Sequence, residues 1–252
     1  MSLSADSGSR RAERLRLFAQ PIVVGLVLAA VLVWAFTRDL DDIERRNINL
    51  PNILDLTWQH VKITAAVAVI VVVVAVPLGV LLTRRWARRA APFFLTIANI
   101  GQAAPAVGLL VLFFLFTGQV GFWVAVLPIA LYGLLPVLRN TMVGLQQVDP
   151  ALVDAGRGIG MSATAVLRRI EFPLAVPYVL AGLRTSLVLA VGTATLVFLV
   201  SGGGLGVLID TGYKLNRPSV LVVGAALALA LALLVDWLGN VAEQRLGPKG
   251  LR

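Results

Sequence analysis

Cysteine is absent from this chain of 252 residues, and histidine occurs only once, at position 60. Disulfide bonds and thiolate metal sites are therefore excluded, and no metal site can be built around His60. The sequence also lacks the G-x4-G-K-[ST] phosphate loop and the H-E-x-x-H and G-x-S-x-G motifs. We therefore predict a chain that is not an enzyme, with no catalytic residue, no metal ligand and no ATP site of the phosphate-loop kind.

Charge is the next scarce property, because only 14% of the residues are charged, against about 25% in soluble domains. Apolar residues make up 58%, too many for one soluble core of this size, so we expect the bilayer to be the solvent. Six runs have the roughly 17–25 residues that a membrane-spanning helix needs. They are Pro21–Thr37, Ile63–Thr83, Phe93–Phe116, Gly121–Leu138, Val179–Val200 and Ser219–Leu238. The sequence predicts an all-α integral membrane protein with about six transmembrane helices.

The net charge of +9 raises nucleic acid as a partner, but the basic residues cluster beside apolar runs, which favours a role in membrane topology. With the N-terminus inside, sixteen of the 22 lysines and arginines fall on the cytoplasmic side. We therefore expect both termini in the cytoplasm, with membrane lipid and no nucleic acid as a partner. The first run could be a signal peptide, but residues 34–38 offer no small-residue cleavage site, so we expect the run to be retained.

This topology divides the chain into four parts. They are a basic, disordered cytoplasmic leader (1–20), a first span with an outer linker (21–56), one transmembrane domain (57–240) and a cytoplasmic tail (241–252). Span three of the domain is interrupted by polar residues and by a proline, at Asn99, Gln102 and Pro105. Polar groups at such a depth either join helices or line a water-filled path, and the sequence leaves both interpretations open.

A polar loop, Val148–Pro177, separates the fourth and fifth runs on the predicted cytoplasmic side. Asp149 is a suitable N-cap for a helix that continues to about Arg157 and ends near Gly158 or Gly160. A second short helix is predicted from an N-cap at Ser162 to Ile170, ended by Phe172-Pro173. Two short helices joined by a glycine hinge are typical of a surface that a partner protein approaches closely.

The spacing within the polar loop resembles the EAA loop of ATP-binding-cassette (ABC) importer permeases, whose motif is EAA-x3-G-x9-I-x-L-P. The matching residues are Asp154, Ala155, Gly156, Gly160, Ile170 and Pro173, with no shift in the gaps. Three positions depart from the motif: Asp154 replaces Glu, Gly156 replaces the second Ala, and Phe172 replaces Leu. Of these, Gly156 weakens the helix by up to about 1 kcal/mol relative to alanine.

The resemblance covers roughly residues 57–238 and is to the permeases of glycine betaine, carnitine and choline importers. It is carried by Gln59-His60-Val61, Pro77-Leu78-Gly79, Ile100–Pro105, Leu135–Thr141, Ala181–Thr185 and the glycine segment, Ser201–Gly206. Ser201 departs from the small residue expected there. Methionine-type permeases have a similar glycine segment, so this element alone does not identify the solute.

The resemblance implies a type I ABC importer permease core with a cytoplasmic coupling loop. A second copy or a paralogue would complete the translocation path, which we expect to be lined by Asn99, Gln102, Pro105, Ser201, Gly203 and Gly204. A cytoplasmic ABC ATPase dimer would hold ATP and magnesium, so this chain would bind no cofactor. An extracytoplasmic binding protein would deliver glycine betaine, choline, carnitine or proline betaine across the bacterial inner membrane.

Three alternatives remain open at this point. The first is an importer permease for an amino acid such as methionine, and the second is a passive channel or ion-coupled carrier. A channel has no need of the polar loop, and carriers usually have charged groups near the membrane centre. A membrane anchor or sensor subunit is the third. In the sequence, Arg184 is expected to snorkel to the inner surface and Asp236 to act as an anchor at the inner interface.

Overall fold

The described chain is a bundle of helices. The computed structural model describes residues 3–246, with side chains from residue 18 onward, and this part of the chain contains no strand. The helices are α1 (Leu3–Phe36), α2 (Asp42–Asn47), α3 (Leu50–Thr83), α4 (Ala91–Ala103), α5 (Ala106–Thr117), α6 (Phe122–Gln146), α7 (Pro150–Gly158), α8 (Ala163–Val166), α9 (Phe172–Ala194), α10 (Gly206–Lys214) and α11 (Pro218–Leu246). Narrow 3-10 turns cover Arg88–Ala90 and Val197–Val200, and a wide π turn covers Leu167–Glu171.

Several helical segments are long and apolar enough to cross a membrane. Within residues 3–246 there are five, namely Phe18–Phe36, Leu50–Thr83, Phe122–Gln146, Ala163–Ala194 and Pro218–Leu246. The bent pair formed by α4 and α5 makes up to six if it counts as one crossing. The prediction of an all-α membrane fold with about six spans is therefore confirmed.

The predicted third span, Phe93–Phe116, is broken rather than straight. The segment Arg88–Ala103 and the helix Ala106–Thr117 meet at an angle of 101°. Pro105 has no N–H to continue the helical hydrogen bonds, and the residue before it, Ala104, has a ψ of 141°, outside the helical region. The sequence predicted an interruption of span three at this proline, and the structure adds the angle of the turn.

The predicted end of the second short helix at Phe172-Pro173 is wrong, because the chain stays helical from Ala163 to Ala194. In the π turn the Phe172 N–H donates to the oxygen of Leu167, five residues earlier. This wider turn lets the helix pass Pro173, which has no N–H to donate. The polar loop and the fifth span therefore share one continuous helical segment.

The chain ends and the outer linker also differ from the prediction. The backbone is helical from Leu3 through the rest of the predicted leader, where the sequence predicts disorder. Helix α3 begins at Leu50, so the predicted boundary at residue 57 falls within a helix. Of the predicted tail, residues 247–252 lie outside the described part of the chain.

Helix α6 lies at the centre of the bundle and packs against α3, α4, α5 and α9. Glycines allow the close approach of α6 and α9. A Cβ at Gly133 would lie 2.6 Å from Ser186 Oγ, and one at Gly182 would lie 2.7 Å from the oxygen of Pro136. A second, smaller core joins α1, the start of α3, α10 and α11.

Candidate functional site

Helix α7 opens the polar loop, and its two ends are capped as the sequence predicts. Asp149 accepts a hydrogen bond of 2.8 Å from the Ala151 N–H. At the other end Gly160 has a φ of +89°, a left-handed conformation that favours glycine. The Gly160 N–H donates to the oxygen of Arg157, and the next N–H donates to that of Gly156. These two bonds form a Schellman motif, which fixes the turn after α7.

The second half of the polar loop folds back onto α7. Ser162 caps it by accepting a hydrogen bond from the Ala165 N–H at 3.2 Å. A Cβ at the buried Gly156 would lie 2.7 Å from Cδ1 of the half-buried Ile170. Ile170 and Gly156, which stands at the second alanine position of the motif, are therefore packing partners, and the missing Cβ of Gly156 allows that contact. Pro173 follows as an exposed residue in the first turn of α9.

The exposed surface of α7 combines apolar side chains with charge. Leu152 in α7 is 48% exposed, and Ile159, directly after α7, is 83% exposed. Asp154 and Ala155 are exposed between them. This arrangement has no recognisable chemistry of its own, and it is typical of a surface that contacts another protein.

An ion pair attaches the polar loop to the bundle, and the sequence analysis missed it. Glu171, in the π turn, is 8% exposed, and its Oε2 lies 2.8 Å from Nη2 of Arg84. Arg84 is the C-cap of α3, and its Nε donates to the oxygen of Val80 at 3.3 Å. A carboxylate so far removed from water needs a partner cation. Because the partners are far apart in sequence, no local pattern indicated the pair.

At the other end of α3, Gln59 and His60 hold the glycine segment. The Gly204 N–H donates to Gln59 Oε1 at 3.0 Å, and the Leu205 N–H donates to His60 Nδ1 at 3.3 Å. Since Nδ1 accepts, Nε2 carries the hydrogen and donates to the oxygen of Val191 at 3.0 Å. Leu205 precedes α10 and Val191 lies in the last turn of α9, where backbone groups lack partners within the helix. We name this set of three hydrogen bonds the outer clasp.

The outer clasp requires glycine at two adjacent positions. Gly203 and Gly204 both have a φ of +79°, and a Cβ at Gly203 would collide with Gln59 Oε1. Both ring nitrogens of His60 are occupied by backbone groups. The described side chains contain no group of three His, Cys, Asp or Glu residues that could hold a metal ion.

The residues predicted to line a path form two groups. At the break between α4 and α5 are the exposed Asn99 and Pro105 with the half-buried Gln102, and at the glycine segment are the exposed Ser201 with Gly203 and Gly204. Both groups lie near α6. A Cβ at Gly101 would lie 3.1 Å from Leu131 Cγ, and one at Gly202 would lie 3.0 Å from Ala125 Cβ. Ala125 and Leu131 lie six positions apart, or about 9 Å of helix, so the two groups lie at different depths along α6.

Arg184 and Asp236, which the sequence analysis treats as separate interface residues, form a bidentate ion pair. Arg184 Nε lies 2.7 Å from Asp236 Oδ1, and its Nη2 lies 3.0 Å from Oδ2. Glu243 Oε2 lies 3.6 Å from the same guanidinium, and Gln20 donates to Asp236 at 3.4 Å. Gly239 provides the space, since a Cβ there would lie 2.7 Å from Arg184 Cγ. This network joins α9 to α11 and α1, with the Arg184 guanidinium shared between the carboxylates of Asp236 and Glu243.

The outer linker is tied to the start of α11. Asp41 and Glu44 form a capping box at α2, in which the Glu44 N–H donates to Asp41 Oδ1 at 2.7 Å. Asp41 Oδ2 also lies 2.5 Å from Arg217 Nε, and the Ser219 hydroxyl donates to Glu44. The hydrogen bond from the Glu44 backbone, together with Arg217, lowers the pKa of the Asp41 carboxyl below its ordinary value.

Known proteins are similar to this chain over most of the helical bundle. Residues 75–248 match the family described as "Binding-protein-dependent transport system inner membrane component". The chain is 39% identical over 196 residues to the choline transport system permease protein OpuBB of Bacillus subtilis, covering 78% of this chain and 89% of that protein. Over the same shares it is 38% identical to the glycine betaine/carnitine/choline transport system permease protein OpuCB of that organism. It is 35% identical to the osmoprotectant import permease protein OsmW of Salmonella typhimurium, covering 84% of this chain and 100% of that protein.

Solved structures of two transporters have the same arrangement of helices as this chain. An inward-facing structure of the MetNI methionine ABC transporter matches with a TM-score of 0.67 and 21% identity, covering 77% of this chain and 96% of that chain. A crystal structure of an amino acid ABC transporter with histidines also has a TM-score of 0.67, with 18% identity, covering 82% of this chain and 100% of that chain. At such identities the likeness shows the fold alone. The predicted type I permease architecture is confirmed.

Proposed function

Since this chain belongs to the family of binding-protein-dependent transport system inner membrane components, we propose that it forms the translocation path of an ABC importer for a small quaternary-amine or zwitterionic osmolyte. A second copy or a paralogue completes the path, and both termini lie in the cytoplasm. ATP and magnesium bind to a separate cytoplasmic ATPase dimer. A binding protein outside the membrane delivers the solute.

The polar loop is the feature that supports the ATPase contact most strongly. It presents Leu152 and Ile159 on a short helix whose ends are fixed by Asp149 and by the turn at Gly160. The same loop is attached to the bundle through Glu171, so a force on α7 reaches the transmembrane helices. A structured surface of this kind suits a partner that pushes and releases the permease during an ATP cycle.

The choice of solute rests on the relatives. Proteins named for choline, glycine betaine, carnitine and osmoprotectants are 35–39% identical over more than three quarters of this chain. Methionine remains the second candidate for the assay, although the methionine transporter structure resembles this chain in fold only. With aromatic residues at only 7% of the chain, we assign solute selection to the binding protein, because an aromatic cage best recognises a quaternary ammonium.

The ATPase contact is tested with Gly160→Asp. The side chain has open space, but it must adopt a left-handed conformation that costs roughly 1–2 kcal/mol, and it places negative charge at the C-terminal end of α7. We expect the variant, like a deletion of residues 154–160, to insert normally in the membrane but to lose the co-purifying ATPase and solute uptake. Membrane abundance, ATPase co-purification in detergent and uptake of radiolabelled solute are the measurements.

Gly118→Asp is the matched control, because Gly118 also has open space and a positive φ, of +62°, at the C-cap of α5. It carries the same strain and the same charge at a helix end, outside the polar loop, so we expect it to retain the ATPase. Retention of the ATPase and of uptake by Gly160→Asp would refute the proposed contact.

For the solute, uptake of labelled glycine betaine, choline and carnitine is compared with that of methionine, and preference for methionine would refute the osmolyte assignment.

A further inference from the structure

Helix α3 is held at both ends by contacts that no other described helix combines. Its inner end makes the ion pair with Glu171 of the polar loop, and its outer end makes the outer clasp with the glycine segment. We propose that the ion pair between Arg84 and Glu171 passes movement of the polar loop to α3, and that α3 carries this movement to the glycine segment. The inference rests on the proposed ATPase contact of the polar loop.

The inner contact is suited to transmitting displacement. Glu171 is buried, and its charge is compensated by Arg84 at 2.8 Å, so separating the two would leave a carboxylate without a cation. Arg84 is itself attached to the last turn of α3 through its bond to the oxygen of Val80. A shift of the polar loop therefore moves the end of α3 with it.

The backbone connection into α9 is a less direct route for the same movement than the ion pair to α3. Between α8 and the body of α9 lie the π turn and two prolines, Pro173 and Pro177, which interrupt the helical hydrogen bonds. A displacement along the backbone can be absorbed by bending at these points. The Glu171 side chain lies before both prolines in the sequence, and its ion pair reaches α3 without passing through them.

The outer clasp connects α3 to the glycine segment and to the end of α9. His60 and Arg84 are separated by about 36 Å of helix, which is more than the thickness of the hydrocarbon core. Gln59 and His60 hold the adjacent N–H groups of Gly204 and Leu205, and His60 also holds the end of α9 at Val191. Movement of α3 thus shifts the glycine segment together with the end of α9, at the end of the bundle that faces the binding protein.

The test measures solute taken up per ATP hydrolysed, in proteoliposomes that contain the whole transporter and its binding protein. Glu171→Gln and Arg84→Met each remove one charge, and the double variant removes both without leaving a buried charge unpaired. We expect all three to hydrolyse ATP but to lower uptake per ATP by about tenfold. Arg84→Lys retains the cation and is expected to stay within about twofold of wild type. Arg85→Met, at the exposed neighbouring position, is the control and is expected to leave the ratio unchanged.

The double variant separates transmission from structural support. If the ion pair only stabilises the fold, removing both charges restores uptake per ATP to the wild-type ratio, and that result would overturn the inference. Unfolding midpoints in detergent show whether each variant is folded before its ratio is interpreted. Failure of the wild-type chain to bind an ATPase at all would refute the proposed function itself, whereas an unchanged ratio in the variants would refute only the role of the ion pair.

Discussion

Replacing His60 with leucine removes the central residue of the outer clasp while preserving apolar volume. The imidazole is fully buried, and its two nitrogens serve one N–H donor and one carbonyl acceptor of the backbone. Leucine serves neither. The Leu205 N–H and the Val191 oxygen, both on residues with no exposed surface, are then left without the partner that they have in the wild-type structure.

The expected loss follows from these two groups. Leaving a buried donor or acceptor without a partner costs about 1–3 kcal/mol, so His60→Leu is expected to lower the free energy of unfolding by about 2–6 kcal/mol. For a chain of this size the unfolding midpoint then falls by at least about 4 °C. Two amide variants, each of which can form one of the two hydrogen bonds, separate the contributions of these bonds to stability. His60→Asn places an acceptor near Nδ1 and His60→Gln places a donor near Nε2, so each is expected to lose about half as much.

Thermal unfolding in detergent, followed by tryptophan fluorescence, measures these changes. Lys62→Leu, an exposed position two residues further along α3, is the control and is expected to leave the midpoint nearly unchanged. A midpoint of His60→Leu equal to that of wild type would refute the reasoning, because the clasp would then contribute nothing to stability. Equal losses in His60→Leu, His60→Asn and His60→Gln would also refute it, since the two bonds would not act separately.

Two further predictions concern packing and charge. Gly182→Ala is expected to destabilise the contact of α6 and α9 by about 1–3 kcal/mol. Gly158→Ala, with open space around it, is expected to stabilise α7 by up to about 1 kcal/mol, and thermal unfolding compares the two. The pKa of Asp41 is lowered from 3.8 by folding, so its carboxylate stabilises the fold above pH 3.8, and this contribution is lost as the pH falls through the lowered pKa. Asp41→Asn is therefore expected to unfold at a lower temperature than wild type at pH 7, and the difference is expected to disappear in acid.

Local sequence signals located the ends of α7 correctly. An N-cap such as Asp149 and a left-handed glycine such as Gly160 act through hydrogen bonds to residues only a few positions away, so the sequence alone contains both partners. The effect of proline on the helices was predicted less accurately. At Pro105 the chain turns by 101° where the sequence indicated an interruption of the span without its angle, and at Pro173 a π turn continues the helix where an end was expected. Whether a proline bends, breaks or is passed depends on packing that its neighbours in sequence do not show.

The side-chain contacts between distant helices were beyond the reach of sequence patterns. His60 meets Val191 and Leu205, Glu171 meets Arg84, and each pair is brought together only by the packing of whole helices. A hint was present nonetheless, because the single histidine just before the second apolar run and the glutamate two residues before Pro173 both need partners when buried. The residues predicted to line the path remain a prediction, since their depth along α6 is known but their contact with solute is not.

Reconstitution tests most directly whether this chain transmits ATP hydrolysis to solute movement. The permease is incorporated into proteoliposomes with the ATPase that co-purifies with it and with a binding protein that holds glycine betaine or choline, and ATP hydrolysis and uptake of the labelled solute are measured together. Addition of the loaded binding protein is expected to raise the hydrolysis rate and to drive accumulation against a gradient, and Gly160→Asp is expected to abolish both. Uptake by the permease alone, without ATPase or ATP, would contradict this function and would indicate a channel or carrier.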